Sequence, residues 1–302
     1  MDPIVIASQM RRTTYFLVRG ESFNNPTMVK LFNRLKMIPI YRREHDPDKV
    51  GQNKDIFKYC HQLMEKNGCL MIFPEGSHDK RRTVRNLSKG FTRILFGAFE
   101  KYPELKVTVI PVGITYQNAG SFPCKVAIHY GNPILANQYY NPDALNNSIN
   151  SIKNEISNQL KELSVHIPAD ENYNTLLNEL NAKNVDFTEV NTINKSIKTG
   201  HIKSCKKDSN FAKPFYFLIV LNSIIPWIIW KILSKKIDET EFVDTFRAGL
   251  GISLFPIFYL IQALMIYKFY TLEFAAIYFI ATILLQLLYS KLSTTPTEEH
   301  LV

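Results

Sequence analysis

Cysteine is scarce and scattered: Cys60, Cys69, Cys124 and Cys205 are the only four, and no two form a C-x-x-C pair. That spacing excludes a zinc ribbon or a disulfide framework, leaving four small hydrophobic side chains suited to a reducing compartment. Acidic residues are also short, 27 against 36 Lys and Arg, for a net charge of +9. The surplus favours anionic partners: nucleic acid, phosphate-bearing ligands, an acidic carrier protein or lipid headgroups. Zinc-finger spacing, an RNP-like signature and a long basic helix are all missing, which removes nucleic acid from that group. No secretory leader is expected either, because the apolar stretch at residues 3–7 is short and has no basic region before it.

The apolar residues follow two patterns. Through the first two thirds, apolar and charged stretches alternate; from 214 to 290, long uncharged runs dominate. Strands are predicted at 14–18, 38–42, 69–73, 107–116 and 125–130, where β-branched and aromatic residues gather. Helices are predicted at 25–36, opened by Asn25 and Pro26, at 53–67, where Ile56, Phe57, Cys60, Leu63 and Met64 keep helical spacing, and at 90–102. Ile149, Ile152, Ile156, Leu160 and Leu163 mark a further amphipathic helix. This alternation predicts an α/β layered domain over 1–165. Residues 166–213 are rich in Asn, Lys, Thr and Ser and read as a polar connector, with a short helix around 173–180. Lys195, Lys198, Lys203, Lys206, Lys207 and Lys213 crowd its end, either as a solvated run or as a basic patch holding anionic lipid.

Three uncharged runs follow, at 214–230, 248–267 and 274–290, ahead of a polar tail at 291–302. A spanning helix needs about 20 apolar residues. The second run is long enough, and only residues 268–273 separate it from the third, which predicts a helical hairpin. Asn222 and Pro226 interrupt the first run, and lysines flank both of its ends. Positive charge at both ends favours a re-entrant or interfacial helix, with three full spans as the alternative. The same charges place the front domain on the cytoplasmic side of the membrane.

The most informative stretch is 71–94. An apolar strand runs directly into Pro74-Glu75-Gly76, placing a carboxylate and a flexible turn at a strand's C-terminal end, where α/β sheets hold ligands. Lys80, Arg81, Arg82, Arg85, Lys89 and Arg93 follow. Beside them a carboxylate stays ionised and can orient a hydroxyl, while the bases suit phosphate. Here the sequence resembles the glycerolipid acyltransferases, which include glycerol-3-phosphate and 1-acylglycerol-3-phosphate acyltransferases. Their hallmark block is matched by Phe73-Pro74-Glu75-Gly76-Ser77, and the resemblance covers about residues 1–135. A second block, at 37–42, is similar in ending on Arg42; a fourth resembles residues 109–114 with Pro111; and the segment 131–134 follows in order. Lys36 and Pro39 depart from the Gly and Phe often found in the second block, so glycerol 3-phosphate and lysophosphatidate both remain open as acceptor.

The resemblance implies a membrane-bound O-acyltransferase of phospholipid synthesis. It would carry a fatty acyl group from acyl-CoA or acyl carrier protein to a glycerophosphate-type hydroxyl, with no metal or other cofactor. It also implies the roles. Glu75 and Gly76 position the acceptor, with Phe73, Pro74, Ser77 and Pro111 shaping the site. Arg42 binds the phosphate, and Lys80, Arg81, Arg82 and Arg85 bind phosphate, carrier or membrane surface.

The family's first block is a histidine followed five residues later by an aspartate. The aspartate orients the histidine as general base toward the acceptor hydroxyl. Asp2 and the apolar residues behind it match the aspartate and its tail, so the histidine is expected four residues upstream of Met1. His45, His61, His78, His129, His166, His201 and His300 all lack an aspartate five residues on. His78, beside Asp79, reads as a polar loop residue or a substitute base, and Ser77 as a nucleophile lacks a placed partner. The alternatives are a catalytically inactive homologue that binds lipid headgroups and, behind it, a lipid hydrolase.

Overall fold

The computed structural model describes residues 2–23, 26–42, 47–76, 79–205, 212–237 and 240–295. Helix α1 (Asp2–Ala7) precedes β1 (Thr14–Arg19), followed by α2 (Pro26–Arg34), β2 (Met37–Ile40), α3 (Asn53–Glu65) and β3 (Cys69–Met71). The three strands form a parallel sheet in the order β2-β1-β3, with Phe16 opposite both Met37 and Met71. Parallel neighbours need a crossover, which α2 and α3 supply. The apolar stripe of α3 lies on the sheet, where Cys60 packs with Leu17, Ile38 and Ile94. Burial pushes the Cys60 thiol up to about 12, so it stays a neutral core group.

The second layer of packing begins with α4 (Gly90–Lys101), whose Phe91, Leu95, Phe96 and Phe99 enter a core shared with Ile134, Ile152 and Ile156. The strand predicted over 107–116 is two strands, β4 (Thr108–Val109) and β5 (Val112–Tyr116). Pro111 interrupts it because proline has no N–H to give a ladder. After the break the partner changes. β5 pairs antiparallel with β6 (Val126–Tyr130), while β4 pairs with β7 (Ile134–Leu135). Helix α5 (Leu145–Leu163) buries Ile152 and Ile156 as its spacing predicts.

The connector is built differently from its reading in the sequence. Residues 165–202 hold a hydrophobic core of their own, contributed by α6 (Tyr173–Ala182), α7 (Val190–Thr199) and the chain between them. Leu180 and Phe187 are fully buried there. The apolar residues are sparse, but nearly every one points inward, which composition averages conceal. Lys206 and Lys207 lie outside the described residues.

Two helices, α8 (Lys213–Asn222) and α9 (Ile224–Ser234), meet at Ser223 with a 92° bend. Then α10 (Thr240–Phe269) and α11 (Leu272–Leu292) run long and apolar, and their stretches Val243–Phe269 and Leu272–Leu292 are long enough to cross a membrane. Polar side chains converge where α8 breaks. The Tyr278 hydroxyl donates to Asn222 Oδ1 at 2.8 Å and reaches Gln262 Oε1 at 3.0 Å, and Ser223 bonds the Tyr259 hydroxyl. Gln262 Nε2 donates to the Asn222 carbonyl at 3.2 Å. The break frees backbone groups that lipid cannot satisfy; Gln262 caps the Asn222 carbonyl, and Tyr278 holds both Gln262 and Asn222 in place. Tyr278→Phe is therefore expected to lower stability by about 1 kcal/mol, read as a lower thermal midpoint in detergent.

Candidate active site

Because β1, β2 and β3 are parallel, the chain leaving β2 and the chain leaving β3 emerge at one edge of the sheet. The first delivers Tyr41 and Arg42, the second Ile72, Phe73 and the turn Pro74-Glu75-Gly76. The Arg42 guanidinium comes to rest on the turn: a Cβ added at Gly76 would stand 3.7 Å from its Nη2. Asn53, the first residue of α3, fixes that approach. Its side chain accepts from Tyr41 N at 3.0 Å and donates to Tyr41 O at 2.7 Å. The Tyr41 ring also lies across Gly20 and leaves no room there for a Cβ.

The turn is held from the other side by Arg85. Its backbone N–H donates to Glu75 Oε1 at 3.2 Å, and its Nε and Nη2 donate to Oε2 at 3.3 and 3.1 Å. Ser88 N donates to Pro74 O at 2.7 Å and closes the loop. Glu75 is thereby fixed as an acceptor beside two guanidinium groups, an arrangement that fits a phosphate or a polarised hydroxyl at the turn. Gly76 has φ +82°, a region that costs other residues about 1–2 kcal/mol. Alanine at 76 would meet Arg42 only at ordinary contact distance, so Gly76→Ala acts through the backbone. A lower melting temperature is expected.

The rest of the basic run divides. Lys80 is exposed. Arg81 forms an exposed fork on Asp79, with Nη2 to Oδ2 at 2.7 Å, and that hydrogen bonding holds the Asp79 carboxyl below its usual range. Arg82, expected at phosphate, carrier or membrane surface, has partners inside the protein. Its Nη1 and Nη2 donate to the carbonyls of Tyr116 and Gln117 at 2.7 and 2.9 Å, and its guanidinium lies 3.7 Å from the centre of the Phe187 ring. A guanidinium spent on two carbonyls and an aromatic face ties the loop to the helical unit. Neighbouring bonds extend the tie: Arg82 N to the Tyr173 hydroxyl at 2.8 Å, Val84 N to His166 Nδ1 at 3.0 Å, and Thr83 Oγ1 to Ile167 O at 2.7 Å. His166 thus sits against the motif's own loop. Burial, then Lys161, lowers its pKa and favours the neutral ring that accepts from Val84.

Asp2 takes the Tyr116 hydroxyl on Oδ1 at 2.7 Å. Pro111 is buried, and its carbonyl accepts from Gly131 N at 2.8 Å, a role in strand packing. Ser77 and His78 lie outside the described residues. Sequence reasoning missed Asn53, Tyr116 and Tyr173. Asn53 entered only as the first residue of a predicted helix, and the two tyrosines only as the ends of predicted elements.

Residues 1–115 match the family model described as Acyltransferase. Two curated proteins of Saccharomyces cerevisiae are similar. Glycerol-3-phosphate O-acyltransferase 1 is 26% identical over 122 residues, 39% of this chain and 16% of that protein. Glycerol-3-phosphate O-acyltransferase 2 is 27% identical over 128 residues, 41% of this chain and 17% of its own length. The shared stretch spans about one sixth of either relative. No solved structure matches the chain. Arg42, Glu75, Gly76 and Asp2 all fall inside the matched region, residues 1–115, which is similar to the Acyltransferase family and to a stretch of the two yeast glycerol-3-phosphate O-acyltransferases.

Proposed function

We propose that the protein is a membrane-held O-acyltransferase with a layered α/β catalytic domain. It moves a fatty acyl group from acyl-CoA or acyl carrier protein to glycerol 3-phosphate or lysophosphatidate in phospholipid synthesis. The observation that carries this reading is the Arg42 guanidinium resting on the Gly76 turn, next to a Glu75 carboxylate anchored by Arg85. A phosphate at Arg42 brings the rest of its molecule over the turn.

The acceptor oxygen attacks the thioester carbonyl and loses its proton to a base. The tetrahedral intermediate then collapses with cleavage of the C–S bond, and the thiolate leaves to be protonated as thiol. Asp2 orients the base, as in the family's first block. The relatives' names support a glycerol 3-phosphate acceptor for those proteins.

A cytoplasmic, membrane-facing site is part of the same reading. Lys231, Lys235 and Lys236 close the bent pair, and positive charge gathers on the cytoplasmic side. Past the end of α11, Thr295 Oγ1 accepts from Lys125 N at 3.0 Å, so the hairpin returns to the side of the domain. The test is full-length protein in its membrane with a labelled acyl thioester and glycerol 3-phosphate. One ester formed per thiol released is expected, only when acceptor is present. Free fatty acid released at the same rate without acceptor would make the protein a hydrolase.

A further inference from the structure

We infer that Tyr116 is a positioning residue of the acyl-transfer site, holding the Asp2 carboxylate through its hydroxyl while its backbone carbonyl holds Arg82 of the acceptor loop. The inference rests on the acyltransferase reading above and adds a residue to it. Asp2 sits in the first turn of a six-residue helix, too short to fix a side chain by itself. Buried Ile6 anchors the helix, and the hydrogen bond from Tyr116 is the polar tie of the Asp2 side chain among the described residues. Tyr116 is the last residue of β5 and is half-buried, so its ring has a rigid base. Its carbonyl receives Arg82 Nη1 at 2.7 Å while its hydroxyl donates to Asp2 at the same distance. A single residue therefore sets the spacing between the loop that carries Glu75 and the acid that serves the base.

The titratable groups around the Tyr116 hydroxyl are Asp2 on α1, Cys124 in the turn after β5 and Asp244 on α10. Burial first, and Asp2 next, push the phenol well above its ordinary value, so it remains a protonated donor across any assay range. Removing the donor leaves the Asp2 side chain free to turn away from the base, which lowers kcat without touching either substrate.

The test uses the full-length protein with acyl thioester and glycerol 3-phosphate. Tyr116→Phe keeps the ring and is expected to lower kcat about 10-fold with both KM values unchanged. Adding Tyr116→Phe to Asp2→Asn should cost nothing more, since the hydroxyl acts through that carboxylate. Site-specific 3-fluorotyrosine at 116 strengthens the donor without removing a contact. It should hold kcat within about twofold of wild type, and it serves as the test if the phenylalanine variant folds poorly. Active wild type with an unchanged kcat in Tyr116→Phe, or a tenfold loss in the fluorotyrosine variant, would overturn this inference and leave the acyltransferase reading intact. Wild type that forms no ester would overturn both.

Discussion

Arg42→Ala is expected to raise the KM for glycerol 3-phosphate about 10²-fold, with the KM for the acyl thioester unchanged. Hydrogen bonds to charged groups are worth about 1.5–3 kcal/mol each, and every 1.4 kcal/mol is about tenfold in affinity. A forked guanidinium on a phosphate supplies about two such bonds. The loss should stay local, because Asn53 holds the backbone of Tyr41 whether or not the arginine side chain is present. Arg42→Lys keeps the charge without the fork and should recover part of the loss. Steady-state kinetics with both substrates varied makes the measurement. An equal rise in both KM values would point to damage to the fold and not to a phosphate contact.

Phe187→Ala is expected to destabilise the soluble part by about 3–5 kcal/mol, the cost of deleting a fully buried phenyl ring. Phe187 is inaccessible to solvent. Its N–H donates to Gln117 Oε1 at 2.6 Å, and its ring carries the Arg82 guanidinium. The truncation removes both core volume and a cation–π partner, so the loop between Glu75 and Arg85 should loosen as well. Thermal and urea unfolding read the first effect, and acyl transfer below the melting temperature reads the second. A solvated connector would behave otherwise, with a change within about 0.5 kcal/mol.

That contrast marks where the chain was hard to read. In the connector, apolar residues such as Leu177, Leu180 and Val185 arrive about once per helical turn among Asn and Lys, so composition suggested solvent. Their burial depends on partners from elsewhere, including the motif loop through Arg82, Thr83 and Val84. The placement of the motif turn was more legible. An apolar strand entering Pro-Glu-Gly fixes where the carboxylate must stand, and a second parallel strand ending just before Arg42 brings that arginine to the same edge. Arg82 shows the limit of reading charge from a run of bases. Four arginines there share one composition but have different neighbours, and only the fold shows that Arg85 faces Glu75 while Arg82 faces two carbonyls. The split of the predicted 107–116 strand was legible in Pro111, since a residue without an N–H cannot sit mid-ladder. Tyr116 was not legible, because its partner is 114 residues away in sequence.

Whether a phosphate group is held where Arg42 meets the Gly76 turn is tested most directly by calorimetric titration of the full-length protein in detergent. Glycerol 3-phosphate is the ligand, and glycerol is the control. Binding of glycerol 3-phosphate alone is expected, weakened by added inorganic phosphate and lost in Arg42→Ala. Equal binding of glycerol, or binding of glycerol 3-phosphate that Arg42→Ala leaves untouched, would contradict it.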